Sequence, residues 1–302
     1  MNALTRIWSG GRRAERIAYA AGAVLFLSGV VHALLLIATG GSWLGPLSMR
    51  KAVTFGLSFG LTLASVAWAA SFLTMRPRLR GVLLGAFTAA SVIEVALVGM
   101  QAWRGVPSHF NFETPFDNVV SMTLAAGGGV LILTVIGFTA TALVEPGPEA
   151  PSLRLAVRAG LAVLLVALAT GAVMIGRGVV AARSGDPRLA YTTAGSLKPL
   201  HAVAMHAILV LPALAWVLGF TGHSEAHRLR IVRTAVAADL VLTAVIGAES
   251  FAGLDPLAAP LPLMLVSALA AAVLAGTGIH ALSGVEPAVR FVRVLNGKAR
   301  GR

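Results

Sequence analysis

Gly99-Met100-Gln101-Ala102-Trp103-Arg104-Gly105 closes the third long apolar run of this chain, and Gly247-Ala248-Glu249-Ser250-Phe251-Ala252-Gly253 closes the seventh. The two read G-x-Q-x-W-x-G and G-x-E-x-F-x-G. A motif that recurs at the ends of the third and seventh runs predicts a bundle built twice, with four spans per half. Working outward, stretches free of charge cover 17–49, 52–75, 118–144, 159–176, 199–224 and 256–285. Each approaches or exceeds the roughly 18–20 residues that carry a helix across the hydrocarbon core of a bilayer. Two more runs, 81–103 and 231–252, are as apolar but hold acidic residues, Glu94 in the first and Asp239 and Glu249 in the second. The expected fold is therefore all-α and integral to a membrane. Its eight transmembrane helices fall into two pseudo-symmetric four-helix halves, 1–148 and 149–302. Four spans per half is an even number, so the halves share one orientation and their axis lies along the membrane normal. A transmembrane barrel would show short alternating segments instead.

Other features recur in the same order. Arg78-Leu79-Arg80 precedes the third span and Arg228-Leu229-Arg230 the seventh; Arg50-Lys51 precedes the second and Lys198 the sixth. Trp68 and Trp216 sit at similar depths, and Arg16-Ile17-Ala18 and Arg154-Leu155-Ala156 open the first and fifth spans. A proline-rich stretch, 145–151, links the halves. Two small-residue stripes, Gly56/Gly60/Ala64 and Gly81/Gly85/Ala89, predict close helix contacts, because small side chains let backbones approach where no water drives association. Gly127-Gly128-Gly129 reads as tight packing against a bulky neighbour or as a flexible point, and Pro212 predicts a kink in the sixth span.

The chain is 57% hydrophobic and 12% charged, with mean hydropathy +0.84. A soluble domain carries about twice that charged fraction. The net charge of +12 does not point to nucleic acid, because its distribution follows the spans. With the N-terminus placed in the cytoplasm, 17 Lys and Arg fall inside and 7 outside, the positive-inside pattern with both termini cytoplasmic. The basic ends are expected to meet anionic lipid headgroups. Cysteine is absent, which excludes disulfides and thiolate chemistry. The first run is too long for a signal-peptide core and reads as an uncleaved span. Arginine far outnumbers lysine, and alanine and glycine abound, a composition that fits the inner membrane of a bacterium with a GC-rich genome.

Ionisable groups within a bilayer are costly and so are candidates for function. On the third span Ser91, Glu94, Val98 and Gln101 share a face; on the seventh, Asp239, Thr243, Ile246 and Ser250 form a stripe with Glu249 beside it. Glu94 and Asp239 sit near mid-membrane, Gln101 and Glu249 toward the outside. His32, His201 and His206 share that outer depth. His201 and His206 are five residues apart, about 7.5 Å along the axis and roughly 140° around it, so they do not form an i, i+4 chelate. Thr54, Ser58, Thr62 and Ser65 make a hydroxyl stripe on the second span. Such hydroxyls usually bond back to carbonyls; facing the acids of the third span they would line a hydrated path. His280, near the inner end of the eighth span, has no obvious partner, and His223 and His227 are expected to be solvated.

An eight-helix duplicated plan with histidines toward the outside resembles that of heme A synthase, a family in which each half carries histidines that can hold a heme. The resemblance covers helix count and duplication. The family's paired histidines in both halves are absent here: the first half has only His32 among its spans. Val53 or Thr54 and Ser58 or Phe59 stand where His201 and His206 would be matched. The segment Trp103–Asn111, W-R-G-x-P-S-H-F-N, resembles uncharacterised bacterial multi-pass membrane proteins. The first expectation is binding or proton-coupled transport of a small molecule at an outward-facing polar site between the halves. That site would be built from His32, Gln101, His206 and Glu249 near His201, with Glu94 or Asp239 carrying a proton. The alternatives are a redox protein with a b-type heme or metal between His32 and His206, and an assembly subunit that docks a protein partner on loop 104–119.

Overall fold

The computed structural model describes residues 12–43, 45, 47–144, 147, 149–185 and 195–285. Several basic residues counted above (Arg6, Arg188, Arg290, Arg293, Lys298, Arg300, Arg302) lie outside them, as do residues 145, 146 and 148 of the linker. Eight long helices follow in order: α1 (Arg13–Ala38), α2 (Arg50–Ser71), α3 (Pro77–Trp103), α4 (Pro115–Val144), α5 (Pro151–Arg183), α6 (Lys198–Leu218), α7 (Glu225–Phe251) and α8 (Leu261–Ser283). A 3-10 turn, Gly195–Leu197, leads into α6. All eight are long and apolar enough to cross a bilayer, the architecture of a multi-pass membrane protein. The surface agrees: Leu34, Ile37, Leu133, Val144, Leu265 and Leu269 all point outward from the bundle. Large apolar side chains exposed at that density suit lipid and not water.

Local sequence sets the helix boundaries. Pro77, Pro115, Pro151, Pro199 and Pro262 each stand at the first or second helical residue, where a missing N–H breaks no helical bond. At the other ends Gly40, Gly105 and Gly253 adopt positive φ just past α1, α3 and α7. The last glycine of both G-x-[QE]-x-[WF]-x-G motifs is thus a helix stop. The same closing bonds follow each, Val106 N–H to Gln101 O at 3.1 Å and Leu254 N–H to Glu249 O at 2.9 Å.

Neighbours in sequence are neighbours in space: α1 packs along α2, α2 on α3, α3 on α4, α4 on α5, α5 on α6, α6 on α7 and α7 on α8. In addition α1 touches α3, α5 touches α7, and α2 meets α6, with Trp68 edge-on to Trp216 near the C-terminal ends of both. The α1–α2 pair is the tightest. A Cβ built on Gly56 would lie 2.5 Å from Gly29 Cα, and one on Gly60 2.6 Å from Gly22 O. The first small-residue stripe is therefore a backbone contact. The second is not: a Cβ on Gly81 or Gly85 meets nothing within 4 Å. Helix α4 runs unbroken through Gly127–Gly129. Helix α8 is peripheral, with only Ala270 and Ala281 buried.

At the end of the bundle that carries residues 13 and 283, called here the terminal end, Glu15 and Arg80 form a buried ion pair at 3.0 Å. Arg80 also donates to the carbonyls of Ala70 and, at 2.6 Å, Leu73, so its guanidinium closes the α2–α3 turn. Arg228 donates likewise to Thr221 O at 2.8 Å across the α6–α7 turn.

Candidate functional site

At the opposite end, which carries loop 104–114, a cavity of about 710 Å³ opens between α2, α3 and α4 on one side and α5 and α6 on the other. That is within the size range of small-molecule sites. It exists because α4 and α5 turn small residues toward it: Ala125, Gly128 and Gly129 face Gly171, Ala172 and Gly176. A Cβ on Gly129 or Gly176 would meet nothing within 4 Å, so these glycines leave space instead of packing. Gly127 has the other task. A Cβ there would come within 2.7 Å of Glu94 Oε1, so its absence makes room for the carboxyl.

The rim is cationic. Arg50 and Lys51 from the start of α2 and Lys198 from the start of α6 line it and lie within electrostatic range of one another. Neither Arg50 nor Lys198 has a carboxylate partner among the described residues. Below the rim the walls are apolar, with Phe55, Phe59, Leu131, Ile132, Leu168 and Ile175. Glu94 is the single carboxyl of the lining among the described residues. It stands nine residues before the end of α3, about 13 Å in at 1.5 Å per residue, and receives no hydrogen bond from the described residues. His201 lines the cavity with its Nδ1 2.7 Å from Ala167 O, which orients the ring.

Loop 104–114 forms part of the wall. Phe110 is the one non-glycine residue with positive φ among the described residues, at 60°, and its ring packs where a side chain on Gly178 would otherwise sit. A phenylalanine held in the left-handed region is strained and persists only where the surroundings hold it. His109 lines the cavity beside it. Burial, helped by the nearby charge of Lys51, holds the His109 imidazole down to about 3, so the ring is uncharged at neutral pH.

Of the residues singled out from sequence, Glu94 and His201 meet in this cavity. Gln101 does not. It donates to Asp117 Oδ1 at 2.9 Å and accepts from Arg104, while Arg104 also reaches Asp117 at 2.6 Å, so this cluster clasps the α3–α4 hairpin. His32 lies against Trp103, whose Nε1 donates to His32 Nε2 at 3.0 Å, with His32 Nδ1 2.8 Å from Ser28 O. Both ring nitrogens are engaged. His206 is exposed on the flank of α6, beside a narrow groove lined by Ser58, Thr62 and Ser65. The hydroxyl stripe thus faces α6 and not Glu94. Thr54 and Ser65 bond back to Arg50 O and Leu61 O. A heme between His32 and His206 does not fit these residues, since His32 has no nitrogen to offer while its two bonds stand. Asp239 and Glu249 are buried on α7 apart from the cavity lining. Asp239 Oδ2, Thr243 Oγ1, Ser250 Oγ and both Glu249 carboxyl oxygens have no hydrogen-bond partner among the described residues.

The rim cations, His109, Phe110 and the cavity glycines were not among the sequence candidates. Arg50, Lys51 and Lys198 were visible as recurring flanking charges, while nothing in the sequence marks a glycine as facing empty space. Comparison with protein-family models, curated proteins and solved structures finds no match to this chain.

Proposed function

We propose that this protein binds a small amphipathic anion in the cavity between α2–α4 and α5–α6, as a binding or proton-coupled transport protein of a bacterial inner membrane. One observation carries the reading: a cavity of about 710 Å³ whose rim bears Arg50, Lys51 and Lys198 above apolar walls. An anionic head meets the rim, and an apolar body lies along Phe55, Phe59, Leu131 and Leu168. Glu94, at the depth of the apolar body, is the group placed to exchange a proton as the ligand enters or leaves. The positive-inside bias sets both termini in the cytoplasm and turns the cavity mouth outward.

On the reading of the chain as two four-helix halves, the cavity falls between them, where transporters place their sites. Several equivalences support reading the chain as two halves. Buried positions of α3 and α7 match at a constant offset of 148 residues: Leu84 and Val232, Phe87 and Ala235, Ser91 and Asp239, Val98 and Ile246, Gln101 and Glu249. The bonds Arg80 to Leu73 O and Arg228 to Thr221 O obey the same offset at both ends. So do the edge-on pairs Trp68–Phe72 and Trp216–Phe220. Gly22 meets α2 at Gly60 and Gly160 meets α6 at Ile208; the α6 partner lies 148 residues on and the glycine itself 138, the offset that also separates Arg16 from Arg154.

The test is calorimetric titration of the full chain in nanodiscs with octyl phosphate, against octanol and octylammonium. Octyl phosphate is expected to saturate at one equivalent. Lys198→Gln should weaken it at least about tenfold, the worth of one charge-assisted hydrogen bond. Gly129→Leu should abolish binding while leaving the fold intact, because that side chain enters open space. Equal binding of the three probes, or undiminished binding in Gly129→Leu, would overturn the proposal.

A further inference from the structure

We infer that His223, His227 and His280 form a three-histidine site for a divalent transition-metal ion, zinc in the first instance, at the terminal end of the bundle, far from the cavity. The three rings come from three backbone positions: the turn before α7, the first turn of α7 and the last turn of α8. His223 stacks on His280 with centroids 5.2 Å apart, and His227 stands 4.6 Å from His223 and 5.9 Å from His280. One ring nitrogen of each lies within 4.8 Å of the other two. Tetrahedral zinc with Zn–N bonds of about 2.0–2.1 Å needs nitrogens about 3.4 Å apart. The nitrogens therefore need to approach one another by at most about 1.4 Å.

A second, independent observation points to a ligand. His223 Nε2 is buried and has no hydrogen-bond partner among the described residues. An imidazole nitrogen turned inward and left unbonded is an uncompensated polar group, and a metal ion supplies the missing partner. The neighbouring cations do not block the site. Arg228 is turned away to Thr221 O, and Arg230 touches His227 Nδ1 only at 3.4 Å, the outer limit of a hydrogen bond, which coordination would replace. Imidazole ligands suit zinc, copper, nickel and iron more than magnesium or calcium. Three protein ligands leave a fourth position for water or an external group. The ion would also tie α8, the least buried helix, to the turn that opens α7.

The site is tested on the full-length protein in detergent, purified on a tag without histidine and stripped with EDTA, then titrated with Co²⁺ and competed with Zn²⁺. Expected are one equivalent of Co²⁺, intense visible d–d bands of a four-coordinate ion, their loss on adding Zn²⁺, and a rise in Tm with Zn²⁺. His223→Ala and His280→Ala should each weaken binding at least a hundredfold and remove both the bands and the Tm shift. Because His280 is exposed, its substitution leaves folding intact, which unchanged size-exclusion behaviour checks. No saturable binding at micromolar Co²⁺, or binding that survives in the double variant His223→Ala/His280→Ala, would overturn the inference.

Discussion

Alanine at Gly56 and alanine at Gly81 should move stability in opposite directions, although both glycines head small-residue stripes of the same spacing. A methyl at Gly56 falls 2.5 Å from Gly29 N and Cα and 3.0 Å from Leu25 O. Carbon atoms prefer about 3.5–4.0 Å, so α1 and α2 must separate by about 1 Å. The obstructing atoms are backbone and cannot rotate aside. Overpacking of this kind costs about 1–3 kcal/mol, and alanine returns up to about 1 kcal/mol through its helix propensity. With the full propensity gain the net loss is up to about 2 kcal/mol. At Gly81 and Gly85 the methyl meets nothing, so only the propensity gain of up to about 1 kcal/mol remains. The propensity gain is common to both, so the difference is the overpacking cost of about 1–3 kcal/mol, measured by unfolding in mixed micelles with increasing SDS, followed by circular dichroism. Gly60→Ala should behave as Gly56→Ala, with Phe26 N in place of Gly29. If Gly81→Ala destabilised as much as Gly56→Ala, the assignment of α1–α2 as the close backbone contact would be wrong.

Two further outcomes follow from buried charge. Glu15→Ala strands the Arg80 guanidinium, itself 2% exposed, and should cost about 3–5 kcal/mol, most of it recovered in the double variant with Arg80→Met; equal losses in the single and double variants would remove the ion pair as the cause. His109, held down to about 3 in the folded chain, titrates near 6.5 once unfolded, so between those values the unfolded state binds more protons. Stability is therefore flat above about pH 6.5 and falls as the pH drops toward 3, by at most about 1.4 kcal/mol per unit. Thermal unfolding at pH 7 and near pH 4.5 should show a smaller drop in His109→Gln than in the parent, and identical drops would refute the burial of that ring.

The eight helices were legible because every span carries an apolar stretch long enough to cross a bilayer and is punctuated by prolines and arginines that the structure uses as helix starts. The repeated motif was legible for a related reason, since its final glycine is a helix stop with a fixed backbone requirement. The site was less legible because a membrane helix is apolar all round, so composition does not say which way one polar side chain points. His201 and His206, roughly 140° apart on one helix, illustrate this: one lines the cavity and the other lies on the outer flank. Helix rotation, set by the Gly160 contact of α5 with Ile208, decides between them. The cavity volume comes from missing side chains at Gly128, Gly129, Gly171 and Gly176, and glycine in a membrane helix reads first as packing. The three-histidine cluster had a visible half. His223 and His227 have the four-residue spacing of a helical metal pair, but His280 comes from a span more than fifty residues on and only the α7–α8 packing unites them.

Gln101 and Glu249 occupy the same place in the two motifs and have opposite surroundings. Gln101 is bonded to Asp117 and Arg104, and it joins α3 to α4. The residues 148 positions beyond those partners are Leu265 and Ala252, which offer a carboxyl no hydrogen bond. Glu249 is nevertheless fully buried, with neither carboxyl oxygen paired among the described residues. A buried polar group without a partner costs more than an apolar side chain of the same shape. Stability therefore does not account for a glutamate at that position, nor for Asp239 and Thr243 farther along the same helix. On the duplicated reading, α3 and α4 keep the hairpin clasp. No such clasp joins α7 to α8 among the described residues, α8 stays peripheral, and α7 carries acids and hydroxyls with unpaired atoms among the described residues. Ionisable groups within a bilayer are costly to keep unpaired. Glu94, on α3, is the acid that lines the cavity instead.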